Sequence, residues 1–165
     1  MPRIRLLLLT ALLLAGCNPG SYSHPQTSGE LPACIVRSVL DGDSVAVVCN
    51  GERRQVRLYC IDAPEKEQRP WGDESRTALR NRLRRHDRVQ LRIHDVDSYG
   101  RQVAEILHNG ENINLRMVRD GYAAVYPRYC KLPVFYEAEA EAKEGELGIW
   151  RKEGLHQTPW RWRHR

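Results

Sequence analysis

Between residues 34 and 107 the chain contains short segments rich in Val and Ile, separated by turn-forming residues, and this pattern limits the folds available to it. In residues 88–94, Val89, Leu91 and Ile93 alternate with polar side chains, as in a strand with one buried face. Five strands are predicted, at residues 34–40, 43–49, 53–61, 88–94 and 101–107. Because so few strands bury a core only by closing on themselves, we expect a small β-barrel.

Helices are expected between and after these strands. They are predicted at residues 73–85, 113–120 and 133–145. Leu79 and Leu83 form an apolar i, i+4 pair in the first helix. Asn112 is a suitable N-cap and Gly121 a suitable stop for the second, and Pro133 suits the first turn of the third. The fold class is therefore α+β, mainly β, and 165 residues suffice for one compact domain.

The amino-terminal residues are typical of an export signal. Arg3 and Arg5 precede an apolar run at residues 6–16, which is shorter than the roughly 20 residues that a membrane span needs. The run ends in small residues before Cys17, as in the bacterial lipobox. We therefore expect residues 1–16 to be a lipoprotein signal peptide and Cys17 to be lipidated. The alternative is ordinary secretion with an incidental cysteine.

The residue after the cysteine bears on location. Asn18 stands there instead of Asp, so the inner-membrane retention signal of Gram-negative lipoproteins is absent. We expect an exported lipoprotein anchored in the bacterial envelope, on the periplasmic side of the outer membrane in a Gram-negative cell. Residues 17–33 are polar and rich in turn formers, which predicts a flexible tether. Residues 34–152 would then form the domain, and residues 153–165 a basic Trp/Arg tail.

Four cysteines remain besides the lipidated one, and an oxidising compartment permits three pairings among them. The Asp-Gly dipeptide at residues 41–42 predicts a two-residue type I′ turn between the first two strands. In that register Cys34 lies opposite Cys49. This arrangement leaves Cys60 to pair with Cys130.

Acidic and basic side chains cluster at three strand ends or turns. The clusters are residues 41–43, 57–65 and 97–101. Asp62 and Glu65 share a loop because Pro64 turns the chain, and two carboxylates with a backbone carbonyl between them suit Ca²⁺. Arg57 and Arg101 carry the planar fork that binds phosphate oxygens. Singly, these residues are typical of a turn, a loop cap or a solvated surface, so their combination carries the inference.

Together the three clusters resemble the staphylococcal nuclease (thermonuclease-like) family. They occur in that family's order, and residues 114–123 and 139–150 agree with later family stretches. The resemblance covers about residues 34–150 and implies an OB-like five-stranded barrel with three helices. It also implies a Ca²⁺-dependent endonuclease that hydrolyses phosphodiester bonds in DNA and RNA with little sequence specificity. The closing tail is similar to that of exported bacterial members.

The resemblance also implies a role for individual residues. One Ca²⁺ is expected to bind to Asp43, Asp62 and the Ala63 carbonyl. Glu65 matches the base that activates or orients the attacking water, and Arg57 and Arg101 match the pair that binds the phosphate. Tyr99 matches a nucleotide-phosphate contact, and either Tyr126 or Tyr129 is expected to supply the aromatic ring against the base.

Three questions remain open at the level of sequence. The alternative function is a catalytically idle barrel that binds nucleic acid as a lipoprotein. The first helix carries five arginines that form either a solvated face or a nucleic-acid path: Arg76, Arg80, Arg82, Arg84 and Arg85. The tail, with Trp160 and Trp162 among arginines, could stack on single strands, fold back onto the domain or contact lipid. The formal charge of +5 favours anionic partners only mildly, and we expect a monomer.

Overall fold

The computed structural model describes residues 31–165, so the expected signal peptide, Cys17 and most of the tether lie outside the described residues. The strands are β1 (Ala33–Val39), β2 (Ser44–Cys49), β3 (Glu52–Leu58), β4 (Ile61–Asp62), β5 (Arg88–Val96), β6 (Gln102–His108), β7 (Glu111–Asn112) and β8 (Ala124–Val125). The helices are α1 (Trp71–Arg82), α2 (Ile113–Arg119), α3 (Pro133–Glu144) and α4 (Pro159–Trp162), with 3₁₀ turns at Gly148–Arg151 and Leu155–Gln157. Within residues 31–165 no helix has the length and apolar composition to cross a membrane.

Five strands close into a barrel. Their order is β3-β2-β1-β5-β6, and the parallel pairing of β3 with β6 completes the circuit. Val36, Val45, Val56 and Leu91 are fully buried, so alternate strand residues fill the interior. The short strand β7 extends the sheet beyond β6, and α2 packs between the barrel and α3. The predicted fold class, a mainly β OB-like barrel with helices, is confirmed.

The β1–β2 hairpin keeps the expected pairing at its open end and changes it near the turn. Cys34 lies opposite Cys49, and the two form a disulfide. Nearer the turn, the Leu40 N–H donates to the Ser44 carbonyl at 2.9 Å, so the loop contains three residues. A β-bulge at Arg37 absorbs the extra residue, because the register shifts between its two neighbours. The predicted two-residue turn is therefore wrong, although the predicted cysteine pair forms.

Gly42 has a different role from the one that the dipeptide suggests. It lacks the positive φ that a type I′ turn requires. Instead, a Cβ added at Gly42 would lie 2.1 Å from Ser75 Oγ and 2.6 Å from Ala63 Cβ, so the residue is small because two neighbours pack against it. Positive φ values at both central residues of a turn occur at residues 50–51, between β2 and β3.

The third predicted strand, residues 53–61, is interrupted. β3 ends at Leu58, Cys60 adopts a φ of 71°, and the chain resumes as β4. Asp62 in β4 pairs with Ala124 in β8, and Cys60 forms the second disulfide with Cys130. The segment that carries Asp62 is thus held by the backbone pairing of β4 with β8 and by the adjacent Cys60–Cys130 disulfide.

A buried amide joins this segment to the barrel and to α2. Asn114 donates from Nδ2 to the carbonyls of Tyr59 and Ala104, each at 3.0 Å. Its Oδ1 accepts the Ile106 N–H at 3.0 Å. Since buried polar groups need partners, these contacts fix the direction in which the chain leaves β3 towards Asp62.

Candidate active site

Arg57 lies between two buried carboxylates. It is opposite Ser44 in the β2–β3 ladder, which places it beside Asp43. Its Nη1 donates to Asp43 Oδ1 at 2.7 Å, and its Nη2 donates to Asp62 Oδ1. Asp43 is 4% exposed and Asp62 is 0% exposed. The structure therefore brings together three residues that the sequence predicts from two separate clusters.

The backbone after Asp62 also faces the Asp43 carboxylate. The Ala63 N–H donates to Asp43 Oδ2 at 3.0 Å. The other oxygen, Oδ1, accepts from Arg57 and from Ser44 Oγ, the latter at 3.2 Å. Asp43 thus connects the β1–β2 loop to the Asp62 segment, and the close approach at Gly42 allows this contact.

Three carboxylates, Asp41, Asp43 and Asp62, act on the charge of Arg57. Burial, reinforced by the charge of Asp43, raises the pKa of Asp41 to about 6. Burial and the charge of Asp43 also raise the pKa of Asp62. For Arg57, burial favours the neutral form, but the charges of Asp43 and Asp62 outweigh it and raise the pKa. The site therefore carries an electrostatic penalty that an additional cation would relieve.

The donor atoms fit a hard cation better than a soft one. Carboxylate and carbonyl oxygens from Asp43, Asp62 and Ala63 are the ligand types that Ca²⁺ prefers. Among residues 31–165 no three His, Cys, Asp or Glu side chains are grouped around one ion position. An ion held by these residues would thus complete its shell with backbone oxygen and water.

Arg101 and Tyr99 lie in the turn between β5 and β6. Arg101 Nε donates to Asp97 Oδ2 at 2.7 Å, and the N–H groups of both Tyr99 and Arg101 donate to Asp97 Oδ1. Burial alone would raise the pKa of Asp97, but these hydrogen bonds outweigh it and lower that pKa. Tyr99 is 84% exposed. In the parallel β3–β6 register Arg57 pairs with Val103, two residues after Arg101, so the turn adjoins the strand that carries Arg57.

The other two predicted tyrosines are adjacent to each other. The ring centroids of Tyr126 and Tyr129 are 5.0 Å apart in an edge-on arrangement. Tyr126 follows β8, and its N–H donates to the Cys60 carbonyl at 2.8 Å, close to the start of the Asp62 segment. The Trp160 ring stacks on Tyr126 with centroids 5.2 Å apart. Tyr99 belongs to a separate turn, so the structure joins only two of the three.

Arg163, in the carboxy-terminal tail, is a site residue that the sequence does not assign. Its Nη2 donates to both oxygens of Asp62, at 3.1 and 2.9 Å, and its Nη1 donates to Glu65 Oε1 at 2.5 Å. Burial opposes its charge, but hydrogen bonds to Glu65 and Asp62 raise the pKa of Arg163. The alternation of Trp and Arg indicates that the tail makes a contact, but no sequence signal identifies Asp62 or Glu65 as the partner of Arg163. Of the three placements open for the tail, the structure shows it folded back onto the domain.

The arginines of the first predicted helix do not act alike. Arg82 pairs with Asp120, and its Cζ lies 5.4 Å from the centre of the Tyr122 ring, so this residue joins α1 to α2. Arg80, in the same helix, is exposed. The helix therefore combines a structural ion pair with a solvated surface.

Comparisons with known proteins agree with this arrangement. Residues 55–152 match the family model described as staphylococcal nuclease homologue. The chain is 35% identical over 145 residues to an uncharacterized endonuclease of Escherichia coli O157:H7, covering 87% of this chain and 92% of that protein. It is 38% identical over 141 residues to a micrococcal nuclease of Shigella flexneri, covering 78% of each. The barrel, the names of these relatives and the family match support a nuclease, and the chain belongs to the staphylococcal nuclease family.

Proposed function

We propose that the protein is a Ca²⁺-dependent endonuclease that hydrolyses phosphodiester bonds in DNA and RNA with little sequence specificity. The observation that carries the proposal is the position of Arg57 between the buried carboxylates of Asp43 and Asp62. A phosphate-binding fork and an oxygen site for a cation are the two things that phosphodiester hydrolysis requires close together. Glu65, three residues after Asp62, adds a carboxylate that can act on water.

Each group has a distinct task in this proposal. Asp43, Asp62 and the Ala63 carbonyl would hold Ca²⁺, which supplies positive charge against the phosphoryl oxygens. Arg57 and Arg101 neutralise charge that develops on those oxygens. Glu65 accepts a proton from the attacking water or orients that water.

The substrate contacts explain the expected lack of sequence specificity. Tyr99 contacts phosphate, and either Tyr126 or Tyr129 stacks on a base, which always has an aromatic face. These contacts do not read base edges, where sequence is recognised. DNA and RNA are therefore both expected as substrates.

The first prediction separates catalysis from binding. The full chain should degrade double-stranded DNA and RNA in Ca²⁺, and EDTA should abolish both activities. Glu65→Gln keeps the shape of the side chain but removes the base, so it should lower the cleavage rate about 100-fold or more. The matched control is Glu67→Gln, an exposed residue on the same loop with the same change in charge, which should cleave like the wild type.

Two results would contradict this proposal. Cleavage that persists unchanged in EDTA would exclude the Ca²⁺ mechanism. A folded wild type that retains DNA in a filter-binding assay with Ca²⁺, but does not cut it, would establish the non-catalytic binding alternative.

We also propose that the protein is exported and anchored in the bacterial envelope through a lipid on Cys17, and that it is monomeric. The apolar run before Cys17 supports this proposal. The two disulfides of the described domain give independent support, because such bridges persist in oxidising compartments.

A further inference from the structure

The carboxy-terminal segment places two side chains in the candidate active site at once. Trp160 and Arg163 are three residues apart, and Arg163 has helical φ and ψ, so both project from the same side of α4. Trp160 stacks on Tyr126, while Arg163 donates to Asp62 and Glu65. An aromatic group and a cation from this chain thus meet the aromatic residue assigned above to the substrate, the carboxylate assigned to the ion and the carboxylate assigned to the attacking water.

This position of α4 is fixed by buried contacts that precede it. His156 is 7% exposed, its ring stacks on Trp71 with centroids 4.4 Å apart, and its Nε2 lies 2.9 Å from the Ile149 carbonyl oxygen. Pro159, the first residue of α4, is also buried. The tail therefore starts from an anchored point, and its approach to Asp62 follows from the packing of the domain.

The contacts of Arg163 engage the oxygens that a metal ion would need. Asp62 Oδ2 accepts from Arg163 at 2.9 Å, and Oδ1 accepts from both Arg163 and Arg57. A divalent cation on Asp62 would bind the same two oxygens, most of whose lone pairs are already engaged, and would repel the guanidinium. Coordination of Asp62 and the present contact of Arg163 therefore oppose one another.

We propose that Arg163 is a further residue of this site, that it competes with Ca²⁺ for Asp62, and that it also occupies Glu65, the proposed base. Trp160 covers the face of Tyr126 on which a base would stack, so the same tail also occupies the proposed nucleotide contact. The inference rests on the proposed Ca²⁺ site and adds a regulatory element to it. The Arg163 guanidinium occupies the site, and Ca²⁺ must displace it from Asp62 in order to bind.

The test measures Ca²⁺ binding by isothermal titration calorimetry on the full chain without nucleic acid. Arg163→Gln should bind Ca²⁺ about 3-fold to 10-fold more tightly than the wild type, as expected when a partly exposed ion pair no longer competes. Arg163→Lys keeps the charge but not the two-nitrogen fork and should bind with intermediate affinity. The control is Arg161→Gln, an exposed position in α4 with the same loss of charge, which should stay within 2-fold of the wild type, about the spread of a weak surface charge effect.

Each alternative result has a definite meaning. Equal Ca²⁺ affinity for Arg163→Gln and Arg161→Gln would overturn the competition while leaving the proposed nuclease intact. If neither the wild type nor any variant binds Ca²⁺, both the competition and the Ca²⁺ site are wrong. Circular dichroism of Arg163→Gln and Arg163→Lys checks that the barrel is unchanged, and the Lys variant keeps the test valid if the Gln variant does not fold.

Discussion

At the scale of single residues, the geometry of the site depends on a position without a side chain. Gly42 lies against Ser75 and Ala63, and Ala63 directly follows the carboxylate of Asp62. Ser75 cannot easily move away, because it is buried and its Oγ donates to the Tyr122 carbonyl at 2.7 Å. A larger residue at position 42 would therefore displace the Asp62 segment.

The second prediction tests this contact. Gly42→Ala should lower the free energy of unfolding by about 1 to 3 kcal/mol, the usual result of overpacking. It should also reduce nuclease activity at temperatures where the protein remains folded, because Ala63 and Asp62 shift together. Urea denaturation and an initial-rate assay measure the two effects.

The matched control is Gly51→Ala. Gly51 has a φ of +84°, and a Cβ there would meet nothing within 4 Å. The substitution should destabilise the fold by about 1 kcal/mol through backbone strain alone and leave activity unchanged. If Gly42→Ala matched this control in activity, Gly42 would not position Asp62.

At the scale of secondary structure elements, local chemistry predicts the ends of helices where a cap is present. Asn112 Oδ1 accepts the Leu115 N–H at 3.1 Å, and Gly121 has a φ of 73°, so α2 begins and stops where its sequence indicates. α1 has no such stop signal and ends at Arg82, three residues before the predicted end. Leu83 sets the boundary, because its backbone is extended and its side chain is buried in the core. This tertiary contact is visible only in the folded chain.

The same distinction applies to the site. Asp43, Arg57 and Asp62 were predictable because their clusters, taken together and in order, resemble those of the staphylococcal nuclease family. The bulge at Arg37 was not, because it depends on how β1 pairs with both neighbours. The contact of Arg163 with Asp62 joins residues 101 positions apart, so no local pattern could indicate it.

The third prediction concerns the bridge that joins β4 to the loop before α3. Replacing Cys60 and Cys130 with Ser removes a crosslink that spans 70 residues, which should lower the free energy of unfolding by about 4 kcal/mol. The control replaces Cys34 and Cys49, whose bridge spans 15 residues of one hairpin and should contribute about 3 kcal/mol or less. Thermal denaturation of both variants shows which disulfide contributes more stability. A larger loss of stability on removing the Cys34–Cys49 bridge would contradict the prediction.

At the scale of the whole molecule, the described domain contains one barrel, and the site lies where the β1–β2 loop, β3, β4 and the carboxy-terminal tail meet. The proposed lipid anchor is at the opposite end of the sequence from Arg163. A tether at residues 17–33 would separate the anchor from the barrel. Membrane attachment and catalysis should therefore be independent.

The fourth prediction tests that independence. In cells that produce the full chain, the wild type should sediment with membranes, whereas Cys17→Ser should be soluble or remain as precursor. The specific activity of the purified Cys17→Ser domain should equal that of the wild type. Ser21→Ala, in the same segment, should still sediment with membranes. A soluble wild type with an unmodified Cys17 by mass spectrometry would refute the anchor.

The Cys60–Cys130 bridge has a consequence for the cell that makes this enzyme. An active nuclease endangers the genome of its own producer, and a bridge of this kind forms only where thiols are oxidised. In reducing cytosol the segment that carries Asp62 would keep its noncovalent contacts but lack the crosslink. Under the proposed export, the site would therefore reach its full stability only outside the compartment that holds the chromosomal DNA.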